Sequence, residues 1–192
     1  MKMNISDLIN DKLTYPSWST NKSYQIKTRK IDDMTTQVYY VTISGKIIKK
    51  EFPTIINMTP ELFWTLGFIK GEGANALGKS NYRRFTLTNS DPHLLNFAIQ
   101  TLLKSRLLKE EDFKTNCFNI MHAINKESEL YWHKQLGFSK ENYKFYKTKN
   151  KKTKNGVCHL YLSDVLLRRI IDELNNSLLL LPKSTAYHSS RT

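Results

Sequence analysis

The chain has 192 residues, 40% of them hydrophobic, which is enough for one sizeable core with an appendage and tight for two domains. Thirty Lys and Arg against 17 Asp and Glu give a net charge of +13 and a pI near 9.7, a balance that points to a polyanionic partner, nucleic acid first, although a lysine-rich soluble protein would share it. No apolar run approaches the ~20 residues of a membrane span; the start MKMNISDLINDK lacks a signal peptide's apolar centre, and Cys117 and Cys158 form no metal or redox pattern. An intracellular protein with reduced, half-buried cysteines and no membrane partner is expected.

Residues 1 to 57 read as an N-terminal arm and β-hairpin extension. ISDLINDKL is a short amphipathic segment, and Thr14 to Lys30 is polar, a loop or an extended arm. QVYYVTI and KIIKKEF flank Ser44-Gly45, the pattern of a hairpin with a two-residue turn. Its Lys46, Lys49 and Lys50 either follow a nucleic acid backbone or belong to a hairpin that simply covers a sheet edge.

Pro60 to Gly73, PELFWTLGFIKGEG, predicts a helix that starts near Thr59, with Thr59 as cap and Pro60 and Glu61 in the first turn. Leu62, Leu66 and Ile69, with Phe63 and Trp64, are apolar at helical spacing. Gly67 and Gly71, four apart, share a face that a second helix can approach closely, which puts Leu66, Gly67, Lys70 and Gly71 in a candidate dimer interface. A two-fold axis along that face would bring two Glu72 carboxylates together, and such a pair binds a divalent metal or shares a proton; metal is the preferred reading.

Ala74 to Leu77 and Tyr82 to Thr88 predict a second hairpin through GKSN. Phe85 and Leu87 fall on one face, while Tyr82, Arg84 and Thr86 fall on the other, either a surface for the major groove or an ordinary solvated one. Ser90-Asp91-Pro92 starts a helix with a stripe from Leu94 to Leu103, Asp112 to Ala123 reads as a strand, and Glu127 to Leu136 as a short helix. Lys144 to Gly156 is strongly basic, poorly ordered when free, and suited to clamping phosphates through Lys147, Lys149, Lys151, Lys152 and Lys154. Val157 to Leu162 is a strand with His159 and Tyr161 on one face, and a last helix runs from Ser163 to about Ser177.

Thr65 to Gly73, TLGFIKGEG, followed by NYRRFTLTNSDPHLLNFAIQTL, resembles the LAGLIDADG motif of homing endonucleases and that family's second strand and helix. The likeness covers about residues 58 to 183 in one copy. It implies an α+β fold, an αββαββα half with a small helical insertion and a curved antiparallel four-stranded saddle on DNA. The domains would be 1-57, the extension, and 58-192, the LAGLIDADG-like part.

A single motif implies a homodimer acting on double-stranded DNA at a long pseudo-palindromic site as an intron-encoded or free-standing endonuclease. By the same likeness Glu72, with the Gly71 carbonyl, would hold Mg²⁺ or Mn²⁺. Asn89 would order the attacking water, His93 would be a neighbouring basic group and Lys183 an active-site lysine; Asn89 as a turn former and His93 as a first-turn surface residue are the plain alternatives. DNA contacts would come from Lys79, Tyr82, Arg83, Arg84, Thr86, Thr88, Lys114, Asn116, His159 and Tyr161. Ala74 and Ala76 stand where relatives carry long base readers. Two other readings stay open: a non-catalytic LAGLIDADG protein that regulates DNA or assists intron RNA splicing, and a basic protein-interaction module.

Overall fold

The computed structural model describes residues 1–9, 14–16, 23–72, 84–122, 126–146 and 153–179. The fold is α+β, built among the described residues from small sheets and five α-helices. Strand β1 (Lys2–Asn4) pairs antiparallel with β7 (Ile55–Asn57), and helix α1 (Ile5–Leu8) lies between them in sequence. The polar stretch expected as a loop or arm holds three strands: β2 (Thr14–Pro16) pairs with β3 (Ser23–Gln25), and β4 (Lys27–Lys30) joins the hairpin of β5 (Thr35–Val41) and β6 (Ile47–Pro53). Gly45, at φ +79°, donates its N–H to the Thr42 carbonyl at 2.9 Å, so the hairpin closes through a longer loop than the two residues expected.

Helix α2 (Pro60–Glu72) starts where predicted, with Thr59 Oγ1 accepting the Leu62 N–H at 3.3 Å. Strand β8 (Phe85–Asn89) leads to α3 (Pro92–Lys104), capped by Asp91, whose side chain accepts the His93 N–H at 2.8 Å. Strand β9 (Phe118–Met121), helix α4 (Lys126–Leu136), strands β10 (Tyr143–Tyr146) and β11 (Val157–Leu162), and helix α5 (Val165–Leu179) complete the order. Asp164 caps α5 by accepting the Leu167 N–H at 2.9 Å.

Further expectations need correction. The strand read from Asp112 to Ala123 is only Phe118–Met121. Ahead of it a 3-10 turn, Glu110–Asp112, is closed by Asp112 accepting the Lys109 N–H, and Asn116 takes a left-handed φ of +58°. Asn142 holds this non-extended backbone by donating to the carbonyls of Phe113 and Lys114 at 2.8 and 3.2 Å. The second correction concerns the basic segment, whose first residues are the strand β10. Tyr143 and Phe145 turn toward an aromatic cluster with Phe118 and His133, which anchors that strand.

The sheet order is β10-β9-β11-β8, and β10 runs parallel to β9, so the sheet is mixed rather than wholly antiparallel. The expected strand at Ala74 to Leu77 lies outside the described residues. One cluster of buried side chains runs from Ile5, Val38 and Phe52 through Leu66, Leu87, Leu102 and Phe118 to Ile170 and Leu174. Burial is therefore continuous from the N-terminal strands to α5, across the boundary drawn at residue 57.

Candidate nucleic-acid interface

In a strand, alternate residues face opposite sides, and residues opposite each other in register share a side. Strand β11 alternates cleanly, with Cys158, Leu160 and Leu162 buried and His159 and Tyr161 half-buried on the other face. The register pairs Lys144 with Asn119, Asn119 with His159 and His159 with Thr88, which lines these four side chains in one row across all four strands. Beside this row stand Tyr161 opposite Thr86, and Tyr146 opposite Met121.

The row is internally ordered. Thr88 Oγ1 and His159 Nδ1 are 3.0 Å apart, the His159 and Tyr161 rings stack at 5.9 Å with planes 4° apart, and Asn119 Nδ2 donates to the Asn116 carbonyl at 3.1 Å. Lys144 Nζ lies 5.2 Å from the Tyr146 ring centroid, near the aromatic face that attracts a cation. Burial, and then the neighbouring His122, hold the His159 imidazole below its ordinary pKa of 6.5. At neutral pH the ring therefore offers one donor and one acceptor rather than a charge.

At one end of this face a groove of about 660 Å³ is lined by Arg84, Lys114, Asn116, Asn119, Tyr146, Tyr161, Asp112 and Asp164, among others. Arg84, Lys114 and Asn116 are exposed there. Lys154 is exposed in the turn before β11. The described residues that line a larger cavity of about 870 Å³, such as Met34, Ile55, Phe97 and Lys104, include none of those expected to carry chemistry.

Several expected residues stand elsewhere. Thr86 is on the polar side but only 4% exposed, so it is covered rather than presented to a ligand. Asn89 is opposite Cys158 on the other side of the sheet from the row, and its Oδ1 accepts the Asp91 N–H at 2.8 Å, the turn-forming role. His93 is exposed in the first turn of α3. Lys79, Tyr82, Arg83, Lys147, Lys149, Lys151, Lys152 and Lys183 lie outside the described residues.

Glu72 is the exposed last residue of α2. Gly67 and Gly71 are exposed, and a Cβ built on either would meet nothing within 4 Å among the described residues, which leave this face of the helix uncovered. Leu66 is not on that face: it is wholly buried in the chain's own core, which corrects its assignment to a dimer interface. Lys70 is exposed, and Trp64, 43% exposed, stacks on Phe68 and meets Phe97 edge-on, each at 5.0 Å. Among the described residues no group of three or more His, Cys, Asp or Glu is placed to hold a metal. The described donors at this end of α2 are a carboxylate and backbone carbonyls, the hard oxygen chemistry that Mg²⁺ takes.

Burial pushes the Cys117 thiol up to about 11 and raises Cys158 further, which keeps both protonated. Asn119, Lys144 and Tyr146 were not among the expected contacts. The alternation of Tyr143 and Phe145 with Lys144 and Tyr146 was the available signal, hidden in a lysine-rich run. No helix among the described residues is long and apolar enough to cross a membrane. Comparison with protein-family models, curated proteins and solved structures returns no match.

Proposed function

We propose that the chain binds duplex DNA across the polar face of its four-stranded sheet and, as a homodimer joined through the open face of α2, hydrolyses a phosphodiester in each strand. It would then be a site-specific, metal-dependent endonuclease of the LAGLIDADG homing type. The observation that carries the reading is the row of Lys144, Asn119, His159 and Thr88. At ~4.8 Å per strand the row spans roughly 14 Å, close to the ~12 Å width of a major groove. Its donors and acceptors are the kind that read base edges, and the exposed Arg84 and Lys114 beside them suit guanine edges or phosphates.

The cleavage part rests on the exposed Glu72, the last described residue of α2, beside the exposed Gly67 and Gly71 that would let a second α2 approach. Glu72 and the Gly71 carbonyl would hold Mg²⁺, whose chemistry when bound is to polarise the phosphodiester and make water more acidic. The chain's own part is to orient the duplex on the sheet so that each strand meets one Glu72.

The second reading is a LAGLIDADG-like protein that binds DNA or RNA without cutting. It is favoured by Asn89, whose side-chain oxygen is spent on the turn before α3 rather than directed to a water. Glu72→Gln separates the two. For the endonuclease, cleavage falls on the order of a thousandfold, the loss of several kcal/mol of metal assistance, while duplex affinity stays within about twofold. For the binding protein the wild type never cuts, and the variant is equally or more stable because two apposed charges are gone.

A further inference from the structure

The three-stranded sheet reaches the groove through Lys50. Lys50, on β6, has a side chain only 12% exposed, and its Nζ lies 2.6 Å from Asp112 Oδ1 and 2.6 Å from Asp164 Oδ2. Both carboxylates line the groove that holds Arg84, Lys114, Asn116 and Tyr161, and they are 18% and 20% exposed. Their other oxygens are also engaged: Asp112 Oδ2 accepts the Lys109 N–H, and Asp164 Oδ1 accepts the Leu167 N–H, each at 2.9 Å. All four oxygens are thus held by the protein, and two of the four by one ammonium.

Such an arrangement matters at a surface for polyanions. Two carboxylates in a groove wall repel a phosphate, and in a half-buried site water screens that repulsion poorly. Arg84 and Lys114 alone would only cancel the two acidic charges, whereas with Lys50 the cluster is positive. We infer that Lys50 is a positioning residue of the nucleic-acid interface: the N-terminal sheet supplies the cation that neutralises the groove's own carboxylates and fixes them facing inward, so that the groove accepts a phosphate backbone. This inference rests on the proposed binding of a duplex to this face. It assigns the extension a part in binding that does not depend on its exposed lysines, Lys46 and Lys49.

The experiment measures affinity for a fluorescent mixed-sequence duplex across a salt series, with melting followed in parallel. Lys50→Met is expected to lose about tenfold or more in affinity at low salt and to reduce the salt slope by about one. Lys49→Met makes the same change in net charge at an exposed site of the same strand, and Val38→Ala weakens the same sheet through its core; each should stay within about threefold. Lys50→Met/Asp112→Asn/Asp164→Asn, which removes the carboxylate charges as well, should return to within about threefold of wild type.

Equal losses in Lys50→Met and Lys49→Met would overturn the inference, as would a folded triple variant that binds no better than Lys50→Met. If Lys50→Met does not fold, the triple variant decides alone: wild-type affinity supports the inference and a tenfold loss overturns it. A wild type that binds no duplex at low salt overturns the underlying functional reading, and that result is visible before any variant is compared.

Discussion

The four-stranded and the three-stranded sheets both carry lysines, and they use their charge differently. In the four-stranded sheet β10-β9-β11-β8, one face is core and the other carries the exposed Lys144 and the half-buried Asn119, His159 and Thr88, with His159 held between Thr88 and the Tyr161 ring. In the three-stranded sheet β4-β5-β6, Lys49 is exposed, as is Lys46 in the loop before β6, while Lys50 is turned inward onto Asp112 and Asp164. Net charge alone does not distinguish a ligand-facing cation from one that holds the protein together. Burial and the fate of each partner oxygen do.

The comparison breaks most sharply at stability. Phe118, under the four-stranded sheet, and Phe52, on β6, are both fully buried in one continuous cluster. Phe118→Ala and Phe52→Ala should each cost about 3–5 kcal/mol, and each should shift a single unfolding transition rather than create a second one. Two separate melting steps, each sensitive to only one substitution, would show that the two sheets belong to independent units.

Binding should sharpen the contrast. His159→Ala removes a base-edge group from the centre of the row and should cost about 1–3 kcal/mol of affinity for a preferred duplex, roughly 5- to 150-fold. Exposed Lys49→Ala should cost under about threefold. Similar losses from both, measured by titration at one salt concentration, would mean that the sheet face has no special part in binding.

The smallest expected effect is in pH. His159 has a pKa held down by burial and His122, so the unfolded chain binds a proton more readily than the folded one as pH falls below about 6.5. Its contribution to stability is fully present above that pH and is lost as the solution is acidified. The melting temperature of wild type should therefore fall more between pH 7.5 and 5.5 than that of His159→Gln, about one residue's proton uptake. Parallel pH profiles would remove His159 from the buried, neutral role.

What could be read from the sequence follows the range of the interactions concerned. The starts of α2 and α3 were readable because Thr59-Pro60 and Asp91-Pro92 carry their own caps, and the α5 stripe is periodic through Leu166, Ile170 and Leu174. The faces of β8 and β11 were readable because alternation marks them. The interruption before β9 was not, since it depends on Asn142, which binds the Phe113 carbonyl from across the fold. Strand β10 was hidden because four alternating residues are a short signal inside a charged run. Lys50 looked like a surface lysine, and only folding brings it to Asp112 and Asp164, both distant in sequence. Of the candidate interface, the face that carries His159 was legible, whereas the row's Lys144 and Asn119 needed the register.

The most direct test is to incubate the purified protein with a randomised duplex library, with and without Mg²⁺, and to sequence the bound and the newly cut molecules. Enrichment of a near-palindromic motif spanning roughly two helical turns, with Mg²⁺-dependent ends at a fixed offset inside it, is the predicted result. A library that is neither enriched nor cut at low salt would contradict the account.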